Sequence, residues 1–424
     1  MIRFILPCCL LILQCALLHP TFAHSKLARL IRTSLTPITF LWFLTAPFRC
    51  SVRPPESADL ISRMSFATSC ILMSVKALDW GLGSDTVYTR TFKIVNGVKR
   101  WEKFDQDEEA INQKLQENDS CDAFQLILWV MLLMSSSRGL QFTWGPPTHP
   151  TNNLSTSDLI RRIVYVNIPA TLALAFQIKT RDSALQTPVS VFLSWGIVHF
   201  PGLSLLSEVI YTASHGIWLA SVMDVGLCLT TLGATVLYKF ARWLNAPDAI
   251  LQLCDPIYYP PAYDSPHLSS SIAELWGRRW HALFKRTFVL MGGKPMVWIT
   301  KRLGASSNTQ RLMGLFGIFA ASAFLHEYPI FALTHPHQPY RHLFSEFPGA
   351  GFFFLLQPLG MLIEPYVIPL IPKKLGGGKL WVWAFLILTG YPYRIRYLVD
   401  CQLLSRIRPL SEWTWLYILS PVKT

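Results

Sequence analysis

Residues 312–333 read LMGLFGIFAASAFLHEYPIFAL, and this stretch decides the fold. Its 22 residues carry one carboxylate, Glu327, one imidazole, His326, and no Lys or Arg. As a helix rising 1.5 Å per residue it reaches about 33 Å, enough to cross the ~30 Å hydrocarbon core of a bilayer. Ala320, Ala321, Ser322 and Ala323 are small and allow close helix approach within lipid. A charged or strongly polar group at that depth faces a bundle interior or a wet cavity, because lipid solvates it poorly.

Similar apolar runs recur outward from this one, at about 4–20, 35–48, 124–135, 163–178, 187–211, 216–240, 350–371 and 380–398, with a short piece at Trp413–Leu419. Composition agrees: 51% of the 424 residues are hydrophobic and only 15% charged, against about a quarter in soluble domains. The expectation is an all-α, polytopic integral membrane helical bundle of about seven to nine spans. His199, Glu208, Asp224, His326, Glu327 and Glu364 all fall inside apolar runs. Each alone reads as a helix–helix hydrogen bond, but together they predict a polar chamber within the bundle.

One domain is expected over 1–424. N-terminal spans or an anchor occupy 1–60, and a polar loop with a short helix occupies 81–122. A richer polar stretch with an amphipathic helix occupies 245–311, and 312–400 holds the histidine helix and the C-terminal spans. Arg3 precedes the first apolar run, and Thr21-Phe22-Ala23 has the small-residue look of a cleavage site; we read the run as an uncleaved span. The net charge of +13 sits between apolar segments. That placement suits cytoplasmic loops and anionic lipid or cofactor contacts, and no nucleic-acid module accompanies it. The nine cysteines form no CxxC pair, which excludes a disulfide frame and a zinc site as leading readings.

The polar stretch holds the most informative segment, residues 271–286, SIAELWGRRWHALFKR. Ser271 and Glu274 have capping-box spacing. Trp276, Trp280, Leu283, Phe284, Thr287 and Phe288 make an apolar stripe, and Arg278, His281 and Lys285 share another face. This predicts an amphipathic helix from Ser271 onward, lying at the membrane interface. Two readings of His326 stand from residues alone. It is a histidine bonded between helices, or a neutral imidazole in a dry pocket that takes a proton from a hydroxyl.

Taken together, Trp276-Gly277-Arg278-Arg279-Trp280-His281 and Ser322-Ala323-Phe324-Leu325-His326-Glu327-Tyr328 resemble the paired motifs of the wax-synthase branch of membrane-bound O-acyltransferases. Lys76-Ala77-Leu78-Asp79-Trp80, Ser137-Arg138-Gly139-Leu140, and Gln357 with Glu364 are weaker matches in the same order. The resemblance implies acyl transfer from acyl-CoA, as co-substrate and with no bound cofactor, to a small hydrophobic alcohol. It implies His326 as the catalytic histidine. Plant wax-ester members generally have asparagine where His281 stands; His281 resembles fungal terpenoid and meroterpenoid acetyltransferases instead. That implies acetyl-CoA, a terpenoid-type secondary-metabolite alcohol and the endoplasmic reticulum membrane.

Ester formation from a thioester needs a base for the alcohol and donors for the oxyanion. His326 fits the first role and His281 the second. Trp276, Arg278, Arg279, Trp280, Lys285 and Arg286 are the candidate acyl-CoA contacts, with Lys301, Arg302 and Arg311 as further candidate phosphate contacts. For each basic residue a lipid-facing snorkelling charge is the alternative. No GxSxG elbow, no HExxH motif, no P-loop and no metal set is present. Asn118-Asp119-Ser120 and Asn153-Leu154-Ser155 are glycosylation sequons if they face the lumen. A long-chain wax-ester or sterol-ester synthase is the second enzyme reading, and a transporter or binding bundle the non-enzyme one.

Overall fold

The computed structural model describes residues 2–49, 60–83, 92–95, 98–101, 122–136, 138–142, 144–145, 155–183, 185–260, 263–334 and 349–400. The expected C-terminal piece Trp413–Leu419, both sequon asparagines and the acidic run 105–109 lie outside these residues.

The chain folds into helices, as the apolar runs predict. The main ones are α1 (Ile2–Ala16), α2 (Lys26–Arg49), α3 (Leu60–Leu82), α4 (Ala123–Ser135), α5 (Thr156–Asp182), α6 (Leu203–Trp243), α7 (Lys294–Arg302), α8 (Ser307–Thr334), α9 (Gly351–Val367) and α10 (Gly378–Ile395). The stretch 81–122, expected as a loop with a short helix, holds among its described residues a two-stranded antiparallel hairpin, β1 (Phe92–Val95) and β2 (Val98–Trp101), with Phe92 opposite Trp101 and Val95 opposite Val98; residues 102–121 lie outside the described residues. The dipeptide Asn96-Gly97 between two β-branched ends is the tight-hairpin signature that accounts for it.

Among the described residues, four helices are long and apolar enough to cross a membrane: Thr156–Asp182, Leu203–Trp243, Ser307–Ala332 and Gly351–Leu370. The runs 187–211 and 216–240, expected as two spans, are corrected by the structure. Residues 188–194 form a short separate helix, and α6 then runs unbroken for 41 residues from Gly202, whose φ of +95° starts it. At 1.5 Å per residue α6 is about 62 Å long, twice what a crossing needs. His199, expected within a span, lies on the exposed non-helical segment before α6.

The bundle buries polar groups among its apolar core and leaves apolar stripes facing outward. In α5, Ile160, Val164, Ile168 and Leu172 are all exposed at four-residue intervals, a stripe with no protein cover that fits lipid. Buried groups include Thr180, Ser207, His215, Asp224, Gln357 and Glu364. In the most apolar part of α8, 61% of residues are buried, against 17% in α5, so α8 is the axis and α5 an outer helix. Close backbone contact holds α8 to its neighbour. A Cβ on Gly292 would meet the Gly317 carbonyl, and one on Gly317 would meet the Gly292 carbonyl within 2.3 Å, so both positions require glycine.

Candidate active site

The segment from Ser271 is not the continuous interfacial helix that its periodicity predicts. It breaks into a short helix (Ile272–Glu274), a π-helical turn (Leu275–Arg279), a non-helical stretch (Trp280–Phe284), a second short helix (Lys285–Phe288) and a second π-helical turn (Val289–Gly293) before α7. The start matches the expected cap in part. Ser271 Oγ accepts from the Glu274 N–H at 2.9 Å, but the Glu274 carboxylate reaches back to the N–H of Ser270, at 2.8 Å, not Ser271.

Packing demands explain the break. Trp276 and Trp280 are drawn inward, not onto lipid: the Trp276 ring contacts Trp280, Phe319, Phe353 and Phe354 at centroid distances of 5.2–6.2 Å. A wider turn lets both tryptophans face the bundle, since Trp280 N–H bonds five residues back to Leu275 at 2.7 Å. α9 holds this turn at two points. Gln357 Oε1 accepts from Trp276 Nε1–H at 2.9 Å. Glu364, two turns further on, accepts from the N–H groups of Ile272 and Ala273 at 2.6 and 3.3 Å. A carboxylate there satisfies donors that a helix start leaves orphaned.

The turn walls a cavity of about 1330 Å³. His281, His326, Trp276, Trp280, Arg278 and Lys285 all line it, so the structure brings six of the eight expected site residues to one space. Arg279 and Arg286 are placed otherwise. Arg279 is bound to Glu274 Oε1 at 2.7 Å and to the Asp264 carbonyl at 3.0 Å. Glu274 stays charged, its carboxyl held down to about 2 by the Ser270 backbone N–H, then by Arg279 and the Ser270 hydroxyl. Arg286 makes a two-point ion pair with Asp79, at 2.5 and 2.6 Å, and lies 4.3 Å over the Trp144 ring. Both arginines brace the segment. Lys301 and Arg302 are exposed at the end of α7, with Arg302 over Trp298 at 5.4 Å.

His326 is half-buried, with its open side on the cavity. Its Nδ1 lies 2.8 Å from the Ser322 carbonyl one turn back. A carbonyl only accepts, so Nδ1 carries the proton and Nε2 is the lone-pair nitrogen. The ring is clamped by Phe354, stacked at 4.0 Å, with Tyr393 at 6.3 Å. Glu327 does not orient it: Glu327 Oε2 accepts from the Gly351 N–H at 2.8 Å on the far side.

His281 lies in the non-helical stretch, outside the four spans. Its ring is set among Tyr263, Trp280 and Phe284 at 5.6–5.7 Å. Burial, then the nearby His326 and Arg138, push its imidazole down to about 3, so it is neutral at pH 7. Its Nδ1 is buried without a partner among the described residues. A neutral ring whose Nδ1 finds no acceptor can keep its proton on Nε2 and donate from there. Arg138, in the weaker Ser137–Leu140 match, donates to the Pro260 carbonyl at 2.8 Å.

Sequence reasoning missed several wall residues. Arg162 of α5 makes a two-point pair with Asp224 of α6, both contacts at 2.9 Å, and donates to the Tyr263 carbonyl at 2.7 Å. Tyr393, Phe353 and His215 also line the cavity. Asp224 was legible as a charge in an apolar run; Tyr393 and the phenylalanines carry no signal beyond hydrophobicity. Among the described residues no cluster of His, Cys, Asp or Glu is arranged to hold a metal.

Parts of the chain are similar to known proteins. The chain is 30% identical over 109 residues to "Probable long-chain-alcohol O-fatty-acyltransferase 7" of Arabidopsis thaliana, a stretch covering 26% of this chain and 31% of that protein. Residues 259–355, which carry Trp276, Trp280, His281 and His326, match the membrane bound O-acyl transferase family.

Proposed function

We propose that this chain transfers an acetyl group from acetyl-CoA to a hydroxyl of a terpenoid-type alcohol, in the endoplasmic reticulum membrane. The observation that carries acyl transfer is His326. Its proton is tied to the Ser322 carbonyl, so a bare Nε2 stands beside a large, mostly apolar cavity that several aromatic rings help to line.

In this reading His326 Nε2 takes the proton of the acceptor hydroxyl as the oxygen attacks the thioester carbonyl carbon. The oxyanion of the tetrahedral intermediate is held by a neutral N–H donor from His281, which needs no counter-ion in a low-dielectric wall. The C–S bond then breaks, and the proton on His326 passes to the departing CoA sulfur. Arg278 and Lys285, which line the cavity without a two-point carboxylate partner, are the side chains for CoA phosphates. The rigid aromatic walls favour a polycyclic acceptor, and His281 in place of the plant-type asparagine favours a short acyl group.

A second reading, fatty-acyl transfer to a long-chain alcohol, is favoured by the likeness to the plant relative and by the size of the cavity. Microsomes offered acetyl-CoA and palmitoyl-CoA in competition, with a polycyclic alcohol and a long-chain alcohol as acceptors, separate the two. Acetyl ester of the polycyclic alcohol is the expected main product. A strong preference for palmitoyl-CoA supports the second reading, since each methylene buried in a tunnel contributes about 0.8 kcal/mol. No ester from either donor removes both.

A further inference from the structure

A further histidine of the same cavity, His215 of α6, has no role in the transfer step. It is 2% exposed, and its ring lies 6.1 Å from Tyr393, the same ring that stands 6.3 Å from His326. His215, Tyr393 and His326 all line the same cavity. The protonation of His215 is fixed by its neighbour. Gln177 of α5, fully buried, gives its amide N–H to the Ala173 carbonyl at 3.2 Å, which turns its Oε1 toward His215 Nδ1 at 3.3 Å. An amide oxygen only accepts, so Nδ1 is the protonated nitrogen and Nε2 is a bare acceptor. Nε2 is buried and has no hydrogen-bond partner among the described residues. Burying a polar nitrogen without a donor is unfavourable, and native interiors seldom leave one so. Its ring neighbours are Trp218 at 6.0 Å and, on the cavity wall, Tyr393 at 6.1 Å.

We propose that His215 Nε2 recognises a hydroxyl of the acceptor other than the one acylated, so that the preferred acceptor is a diol. The inference rests on the acyl-transfer reading for which hydroxyl reacts, but the binding site stands on its own geometry. One hydroxyl reaches His326 and is esterified; the other donates to His215 and fixes which end of the molecule faces the base. A mono-alcohol of the same length leaves His215 unsatisfied and is bound less well, because a site built for a hydroxyl rejects the analogue lacking it.

The test compares decane carrying a hydroxyl at each end with decanol, on detergent-solubilised full-length chain. Thermal stabilisation and kcat/KM with acetyl-CoA and with palmitoyl-CoA are both read. In the wild type the diol is expected to stabilise more and to be preferred by about tenfold, the worth of one hydrogen bond. In His215→Phe the ratio of diol to mono-alcohol is expected to fall toward one in both readouts. Equal stabilisation and equal kcat/KM in the wild type overturn the proposal whether or not the variant folds, and so does a preference that survives in His215→Phe. If neither alcohol is esterified yet the diol selectively stabilises the wild type and not His215→Phe, the hydroxyl site stands and the transferase reading fails.

Discussion

The Trp276 indole N–H donates to Gln357 Oε1 at 2.9 Å, joining the π-helical turn to α9 across 81 positions of sequence. The same amide donates to the Phe353 carbonyl at 2.8 Å and to Thr389 Oγ1 at 3.3 Å, so Gln357 ties three segments at one point. Gln357→Leu leaves the part-buried Trp276 indole N–H without its acceptor, while Thr389 keeps its bond to the Phe385 carbonyl, a cost of about 1–3 kcal/mol. It should lower the unfolding temperature and the transfer rate together. Gln357→Glu keeps the acceptor and should be milder on both measures. A Gln357→Leu chain as stable as wild type would show that this bond does not hold the turn.

Arg286 and Asp79 offer a sharper separation of bracing from binding. Removing one partner of a part-buried ion pair strands the other, so Arg286→Ala and Asp79→Ala should each destabilise, and the double variant by far less than their sum. Arg278→Ala should instead leave the unfolding temperature nearly unchanged and raise KM for the acyl-CoA. Thermal melts and steady-state kinetics on the four chains read both effects.

The Gly292–Gly317 crossing predicts a steric failure. Gly317→Ala pushes a methyl into the Gly292 carbonyl, and the segment bearing His281 must move off α8. Expression in membranes should fall, and the chain that inserts should unfold at lower temperature. Gly277→Ala, where a Cβ meets nothing within 4 Å, is the control and should behave as wild type in stability.

How much of this was legible follows from what kind of signal each feature leaves. The helical class and the apolar span at 312–333 were readable, because apolar length is local; the pairing of the tryptophan segment with His326 came from the family resemblance. The broken helix after Ser271 was not: periodicity gives which residues are apolar, but packing of Trp276 against Phe319 and Phe354, and of Trp280 against Tyr263, forced the π-helical turn. His215 was missed for a related reason. It falls in the gap left by dividing 203–243 into two spans, and nothing local says that α6 continues through it. Equally, sequence could not tell Arg278, which lines the cavity with one exposed contact to Asp264, from Arg279, which Glu274 holds one position on.

His281 predicts a pH effect whose sign is fixed. Its folded value of about 3 lies below the free value near 6.5, so its contribution to stability is present above pH 6.5 and is lost progressively as pH falls toward 3. His281→Asn does not titrate, so the wild type should lose more unfolding temperature than the variant between pH 6.5 and pH 4.5. In activity, His281→Asn keeps a side-chain N–H donor and should retain more turnover than His281→Ala. Equal loss in the two variants would mean that position 281 does more than donate one hydrogen bond.

The central claim is that His326 Nε2 is the base of acyl transfer. His326→Ala leaves a small residue on a helix already rich in alanine and should insert in membranes at wild-type level. Turnover of acetyl-CoA with an acceptor alcohol, measured at matched expression, should fall by about 100-fold or more, the usual worth of a positioned general base. Near-normal turnover in His326→Ala would take the histidine out of the chemistry and leave the cavity as a binding or transport site.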